Sequence, residues 1–145
     1  MTLVELHKNL FDMGDEYYLA HAISGDYSLG AGTAKQFDYE MNMRFELFKN
    51  YPIPIGEKYA NVGSALLVDK VFNLVTKETR YDKATYENIK AALWDMLRTC
   101  SVLGIKKIAM TAIGCGRDKL EWDKVHAIIH EVFDGTDVEI VICRY

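Results

Sequence analysis

Two segments of this chain combine glycine with residue types able to hold or cleave an anionic ligand. LGAGTA, residues 29–34, carries Gly30, Ala31, Gly32 and Thr33; IGCGRD, residues 113–118, carries Ile113, Gly114, Cys115, Gly116, Arg117 and Asp118. Glycines let the backbone adopt positive φ and turn successive N–H groups toward a phosphate, and a helix starting just beyond adds partial positive charge. Two such loops facing one another would clasp a diphosphate. A lone GxG ahead of a helix is also ordinary turn chemistry, so neither loop decides the matter alone. Neither contains GxxxxGK(S/T) or GxGxxG, which argues against a P-loop nucleotidase and a dinucleotide fingerprint. Lys77, which ends the apolar run VFNLVTK, supplies an amine able to attack an electrophilic carbon. Asp118 supplies a carboxylate able to take and return a proton. Taken singly, Lys77 also reads as a solvated strand-end charge and Asp118 as an acid near a helix N-terminus.

Other polar residues have competing readings. His126 and His130 are four apart on one helix, but no third ligand accompanies them, so they read as a solvated flank and no metal or cofactor is expected. Cys115 could be a reactive thiol; without a partnered histidine it reads better as a small residue whose backbone N–H faces phosphate. Arg117 suits a phosphate oxygen or open solvent. His21 is as well suited to ligand contact as to the core. Tyr145 could stack on an adenine, although chain ends are often loose.

These residues must be placed by alternating strands and helices. Runs rich in β-branched and aromatic residues predict strands at 2–8, 17–24, 64–69, 71–76, 105–113 and 138–145. Phe37, Met41, Phe45 and Phe48 share one stripe of a helix expected over 34–49, stopped by Pro52 and Pro54. Thr85 offers the N-cap and Gly104 the stop of a second helix with Tyr86, Ile89, Leu93, Met96, Leu97 and Cys100 inward. A third, over 121–133, turns Trp122, Val125, Ile129, Val132 and Phe133 inward. The order ββαββαβαβ predicts a three-layer α/β/α sandwich around a mixed, roughly six-stranded sheet, and one domain over residues 1–145. In such sheets ligands sit beyond the strand C-terminal ends, which both glycine segments follow.

Composition narrows the partners. With 145 residues, half of them hydrophobic, the chain has the size of one core. Its 17 basic and 21 acidic residues are intermixed, giving a net charge of -4 and no global attraction to nucleic acid or anionic membrane. No signal-peptide pattern or apolar run long enough to span a bilayer is evident. Three widely spaced cysteines fit free thiols in a reducing compartment. A cytoplasmic monomer without membrane contact is expected.

The combination AHAIS…GAGTA, LVTK…TYEN and IGCGRDKLEW, in that order and at these separations, resembles the macrodomain family. Within it, the chain looks most like the terminal ADP-ribose protein glycohydrolase branch. The similarity runs without gaps from Leu74 to the C-terminus, holds from Leu10 to Ala34, and is lost between about Lys35 and Leu66. The other hydrolase branch carries Asn-Ala-Ala-Asn where this chain has His21-Ala22-Ile23-Ser24. The resemblance implies an ADP-ribose pocket in which Ser24 and Gly30 to Thr33 line the diphosphate and distal ribose. Gly114 to Arg117 would form the second phosphate loop, with Ile113 a further implied ligand contact. His21, Asn9, Leu10 and Tyr145 complete the implied ligand contacts. Where the family usually places an aspartate on the adenine amino group, this chain has Asn9, an uncharged and weaker acceptor. The resemblance further implies that Lys77 attacks the distal ribose to form a covalent sugar adduct and that Asp118 assists proton transfer and release. The expected partners are ADP-ribose and ADP-ribosylated protein or nucleic acid. The activities implied are removal of ADP-ribose from acidic side chains or bases, and deacylation of O-acyl-ADP-ribose. A module that binds ADP-ribose without turnover is the alternative.

Overall fold

The computed structural model describes residues 1–145. Six strands, β1 (Thr2–His7), β2 (Tyr18–Ser24), β3 (Ala65–Val68), β4 (Val71–Lys77), β5 (Lys107–Met110) and β6 (Glu139–Arg144), form one sheet in the order β1-β6-β5-β2-β4-β3. All neighbours are parallel except the β3–β4 hairpin. Helices α3 (Tyr86–Leu103) and α4 (Trp122–Phe133) cover one face, and α1 (Gly32–Met41) and α2 (Met43–Asn50) the other. The mixed α/β/α sandwich is the architecture expected from the sequence. None of the helices is long and apolar enough to cross a membrane.

The two cores follow from the strand period of two. In β4, Phe72 and Leu74 pack against Ile89, Leu93 and Met96 of α3, while Val71 and Val75 join the core of Phe37, Met43 and Leu47 on the opposite face. That is why VFNLVT is apolar at nearly every position: both of its faces are covered. Thr85 caps α3 by accepting the Asn88 N–H, and Gly104 ends it at φ 71°.

Three local expectations are corrected. The helix foreseen over 34–49 breaks at Asn42, which takes φ 53° and ψ 40°, a conformation asparagine tolerates better than most residues. The break changes the helical phase. Met43 and Leu47 enter the core in place of Met41, Phe45 and Phe48, which are 37%, 58% and 38% exposed. Strand β5 stops at Met110 rather than Ile113, because residues 111–113 leave the sheet to form one wall of a cleft. A short 3-10 turn at Leu10–Asp12 was not foreseen.

Candidate active site at the C-terminal ends of three parallel strands

Because β5, β2 and β4 are parallel neighbours, their C-terminal ends open onto the same edge of the sheet. A cleft of about 540 Å³ lies there, walled by both glycine loops and by the segment that follows β4. It brings together His21, Ser24, Gly30, Ala31, Gly32, Thr33, Lys77, Ile113, Gly114, Gly116, Arg117 and Asp118.

The first loop is preset by its backbone. Tyr27 and Leu29, both buried, sit at φ 53° and 43°, a region costing non-glycine residues about 1–2 kcal/mol each. They are held there by packing, by the Tyr27 hydroxyl donating to the Tyr51 carbonyl at 3.0 Å, and by Arg44 Nε donating to the Tyr27 carbonyl at 2.9 Å. The loop runs straight into α1, whose N-cap, Ala31, offers no side-chain acceptor. The first amides of the helix therefore lack a capping partner, and Gly32, Thr33 and Ala34 line the cleft, the arrangement that favours an anion.

The second loop is built differently. It does not lead directly into a helix: α4 begins at Trp122, four residues after Asp118. Gly114 adopts φ 77°, and a Cβ there would meet Ile89 Cδ1 at 2.8 Å and Leu120 Cδ1 at 3.0 Å, so the chain passes where only glycine fits without displacement. Cys115 departs from its expected role. Its N–H donates to the Ala112 carbonyl and its thiol to the Ile113 carbonyl, so its amide closes a turn instead of facing a phosphate. Burial pushes this thiol up from its ordinary pKa, which also opposes a nucleophilic role.

Lys77 and Asp118 meet across the cleft. The β2–β4 register pairs Ile23 with Val75 but Ser24 with Lys77, passing over Thr76, and an irregularity of this kind re-aims the side chain that follows. Lys77 Nζ lies 3.0 Å from Asp118 Oδ1, with the two side chains only 16% and 11% exposed. The same Oδ1 accepts the Ala84 N–H at 3.0 Å. One carboxylate oxygen thus joins the end of β4, the approach to α3 and the second loop.

His21 is both a core residue and part of the cleft wall. It is 1% exposed, its ring is 4.2 Å from that of Phe37, and Nε2 lies 2.6 Å from Asn73 Oδ1. Asn73 Nδ2 donates to the Leu66 carbonyl, which leaves Oδ1 as the acceptor and assigns the ring proton to Nε2. Nδ1 is buried without a partner. Burial lowers the His21 pKa to about 4 from 6.5. As pH falls, the unfolded chain therefore takes up this proton near 6.5 while the folded chain resists until about 4. The contribution to stability is fully present above pH 6.5 and declines through that window by up to about 3 kcal/mol. Urea midpoints measured between pH 7 and 4.5 should fall, and a His21→Gln variant should show a shallower decline. Asp26 and Asp137, whose pKa values are lowered from 3.8, titrate below that window.

Besides Cys115, which does not line the cleft, three further expected contacts lie outside it. Asn9 Oδ1 accepts the Phe11 N–H at 3.0 Å and so caps the 3-10 turn, which engages one of the two lone pairs of the oxygen expected to read an adenine. Leu10 is buried in the core beneath α1 and α2. Tyr145 is 84% exposed and stacks on His7, with ring centroids 6.1 Å apart. His126 and His130 lie side by side on α4, ring centroids 4.6 Å apart, and no cluster of three or more histidine, cysteine or acidic side chains suited to a metal is present.

Sequence reasoning missed Asp26, Ser28, Arg80 and Tyr81. Asp26 Oδ1 accepts from Ser24 Oγ at 2.6 Å and from the Ser28 N–H at 3.1 Å, and Oδ2 accepts the Arg80 N–H at 3.0 Å. Burial pushes the Asp26 carboxyl up, but these donors outweigh it and hold the pKa below its ordinary value. The spacing SGDYS was the available signal, since an aspartate commonly binds the amide two residues on. Nothing local announced the link to Arg80, 54 residues away.

Residues 21–129 match the family described as Macro domain, a span that takes in the end of β2 from His21 on, both cleft loops, Lys77 and Asp118. The chain is 36% identical over 126 residues to the ADP-ribose glycohydrolase OARD1 of Homo sapiens, covering 86% of this chain and 79% of that protein. The Bos taurus protein of the same name gives the same identity and coverage. Among solved structures, the macrodomain of Thermus aquaticus DarG superposes with a TM-score of 0.85 at 20% identity, covering 99% of both chains. Thermosipho africanus DarTG in complex with ADP-ribose gives a TM-score of 0.75 at 18% identity, covering 97% of this chain and 41% of that one. These structural likenesses bear on the fold, while the sequence match runs through the residues that build the cleft. The chain belongs to the macrodomain family.

Proposed function

We propose that this chain is an ADP-ribosyl hydrolase. It removes ADP-ribose from modified acidic side chains or nucleic-acid bases, or deacylates O-acyl-ADP-ribose, with Lys77 as nucleophile and Asp118 as its proton partner. The observation that carries this reading is the 3.0 Å contact between Lys77 Nζ and Asp118 Oδ1 inside a cleft walled by two glycine loops. The identity to a protein named an ADP-ribose glycohydrolase supports it.

The geometry suggests how one proton serves both halves of the reaction. Transfer from Nζ to Asp118 Oδ1 leaves a neutral amine and a neutral acid. The amine attacks the anomeric carbon of the distal ribose; the C–N bond forms as the bond to the attached group breaks. The leaving atom takes the proton from Asp118, which returns to carboxylate. Water then displaces the lysine from the sugar and restores its ammonium. The uncapped start of α1 and the second loop hold the diphosphate, so that the distal ribose lies against Lys77.

Free ADP-ribose should raise the melting temperature, because it binds the native state and not the unfolded one. At a hundred times its Kd the stabilisation is about 2.7 kcal/mol. AMP, which lacks the second phosphate and the distal ribose, should do less at equal concentration. Thermal unfolding with each ligand measures this, and absence of any ADP-ribose effect would remove the reading. Turnover is tested on ADP-ribosylated protein, ADP-ribosylated DNA and O-acetyl-ADP-ribose; binding with no turnover of any of them would leave a binding module.

A further inference from the structure

Asp26 does not itself line the cleft, yet its carboxylate is tied to groups that do. Oδ1 accepts from Ser24 Oγ at 2.6 Å and from the Ser28 N–H at 3.1 Å, and Oδ2 accepts the Arg80 N–H at 3.0 Å. No lysine or arginine forms an ion pair with it. Asp26 is therefore a fixed negative charge standing one hydroxyl away from the cleft, and that hydroxyl belongs to Ser24. Ser24 is 5% exposed and pairs with Lys77 in the β2–β4 register, where the next N–H, that of Gly25, donates to the Lys77 carbonyl at 2.8 Å. Both Ser24 and Lys77 line the cleft. A hydroxyl has one proton, and at 2.6 Å from a carboxylate the Ser24 proton is committed to Asp26. Ser28 Oγ, 3.3 Å from Ser24 Oγ, is then the donor of that pair. Toward the cleft Ser24 Oγ offers only a lone pair, polarised by the carboxylate behind it.

With Lys77 attacking the anomeric carbon of the distal ribose, the sugar donor nearest to that carbon is the 2-hydroxyl. As the bond to the attached group breaks, the ring takes up positive charge and the 2-hydroxyl becomes a stronger donor. An acceptor facing it then stabilises the transition state more than the ground state. A carboxylate placed directly beside Lys77 would supply the same charge but would hold the amine protonated, adding to the effect of Asp118. Acting through one hydroxyl avoids that conflict. We infer that Asp26 is a positioning residue for the reaction: through the Ser24 hydroxyl it turns a polarised acceptor toward the 2-hydroxyl of the distal ribose as charge develops at the neighbouring carbon. The inference rests on the reading that Lys77 attacks that ribose.

The test is a double-mutant cycle between Asp26→Asn and Ser24→Ala, read by single-turnover rates on a substrate that the native chain hydrolyses and by calorimetry with free ADP-ribose. Asp26→Asn should slow the chemical step by roughly tenfold to a hundredfold, the range for losing a hydrogen bond to a charged group, while ADP-ribose binds within about threefold of the native affinity. Ser24→Ala should cost a similar factor. In the Ser24→Ala background Asp26→Asn should then cost less than about twofold, because the charge has lost the hydroxyl through which it acts. On a substrate whose distal ribose lacks the 2-hydroxyl, the native chain and Asp26→Asn should likewise differ by less than about twofold. Asp26→Ser, which leaves a small uncharged acceptor near the Ser28 N–H, is the second variant and should follow the same cycle if Asp26→Asn does not fold. Additive losses in the double variant, with a matching fall in ADP-ribose affinity, would make Asp26 a clamp between the two walls and overturn the inference. An undiminished rate in Asp26→Asn would overturn it as well, as would a deficit of equal size on the deoxy substrate. A native chain that hydrolyses none of the ADP-ribosylated protein, ADP-ribosylated DNA or O-acetyl-ADP-ribose would sink the hydrolase reading and the inference together, whereas an active native chain with an undisturbed Asp26→Asn variant would sink the inference alone.

Discussion

Lys77→Ala should abolish de-ADP-ribosylation, with a fall of roughly a thousandfold or more in kcat, while ADP-ribose still binds within a few-fold of the native affinity. The substitution removes the attacking atom, whereas the diphosphate is held by the two loops. It also leaves Asp118 with only the Ala84 N–H among its two donors, so a stability loss on the order of 1–3 kcal/mol should accompany it. Lys77→Arg separates the two effects. A guanidinium can keep the ion pair but is no nucleophile, so this variant should regain much of the stability and none of the turnover. The measurements are single-turnover kinetics on an ADP-ribosylated substrate, calorimetry with ADP-ribose, and urea midpoints for each variant. Full activity in Lys77→Ala would remove the covalent route and leave Asp118 to activate water as a general base.

The loss of Asp118 should look different. Asp118→Ala keeps the amine but deletes the group that takes its proton and returns it, so turnover should fall by roughly 10²- to 10⁴-fold. Release of the sugar from the enzyme needs proton transfer too. A fraction of the protein should therefore carry one ADP-ribosyl group, detected as a mass increase on the intact chain and mapped to the peptide containing Lys77. The double variant Lys77→Ala/Asp118→Ala should carry none. A mass increase on some other residue would place the nucleophile elsewhere. Because Asp118 also accepts the Ala84 N–H, this variant should loosen the approach to α3, and Asp118→Asn, which keeps an oxygen acceptor, should unfold at a higher urea concentration than Asp118→Ala.

Local pattern determined much of this protein. The unbroken apolar run of β4 required a strand covered on both faces, and the spacing of Ile89, Leu93, Met96 and Cys100 required the buried stripe of α3, with Thr85 and Gly104 at its ends. The glycine segments were legible because a bare backbone turns this way at least cost, and Gly32 and Gly114 do take positive φ. Such features are readable because the residues concerned lie within a few positions of one another. What lay beyond the sequence depends on contacts between distant segments. Lys77 and Asp118 are 41 residues apart, and only the parallel neighbours β5, β2 and β4 bring them to 3.0 Å. Asn42 breaks a helix that periodicity alone would continue, because its left-handed conformation turns Met43 and Leu47 into the core. Asn9 spends its amide oxygen on the Phe11 N–H, and Cys115 its N–H on the Ala112 carbonyl; residue type permits either partner for such groups, and the path of the surrounding chain selects one. Asp26 joins Ser24 and Ser28 to Arg80 for the same reason: a carboxylate displaced from water takes whichever donors the fold brings within reach, and here they come from both walls of the cleft.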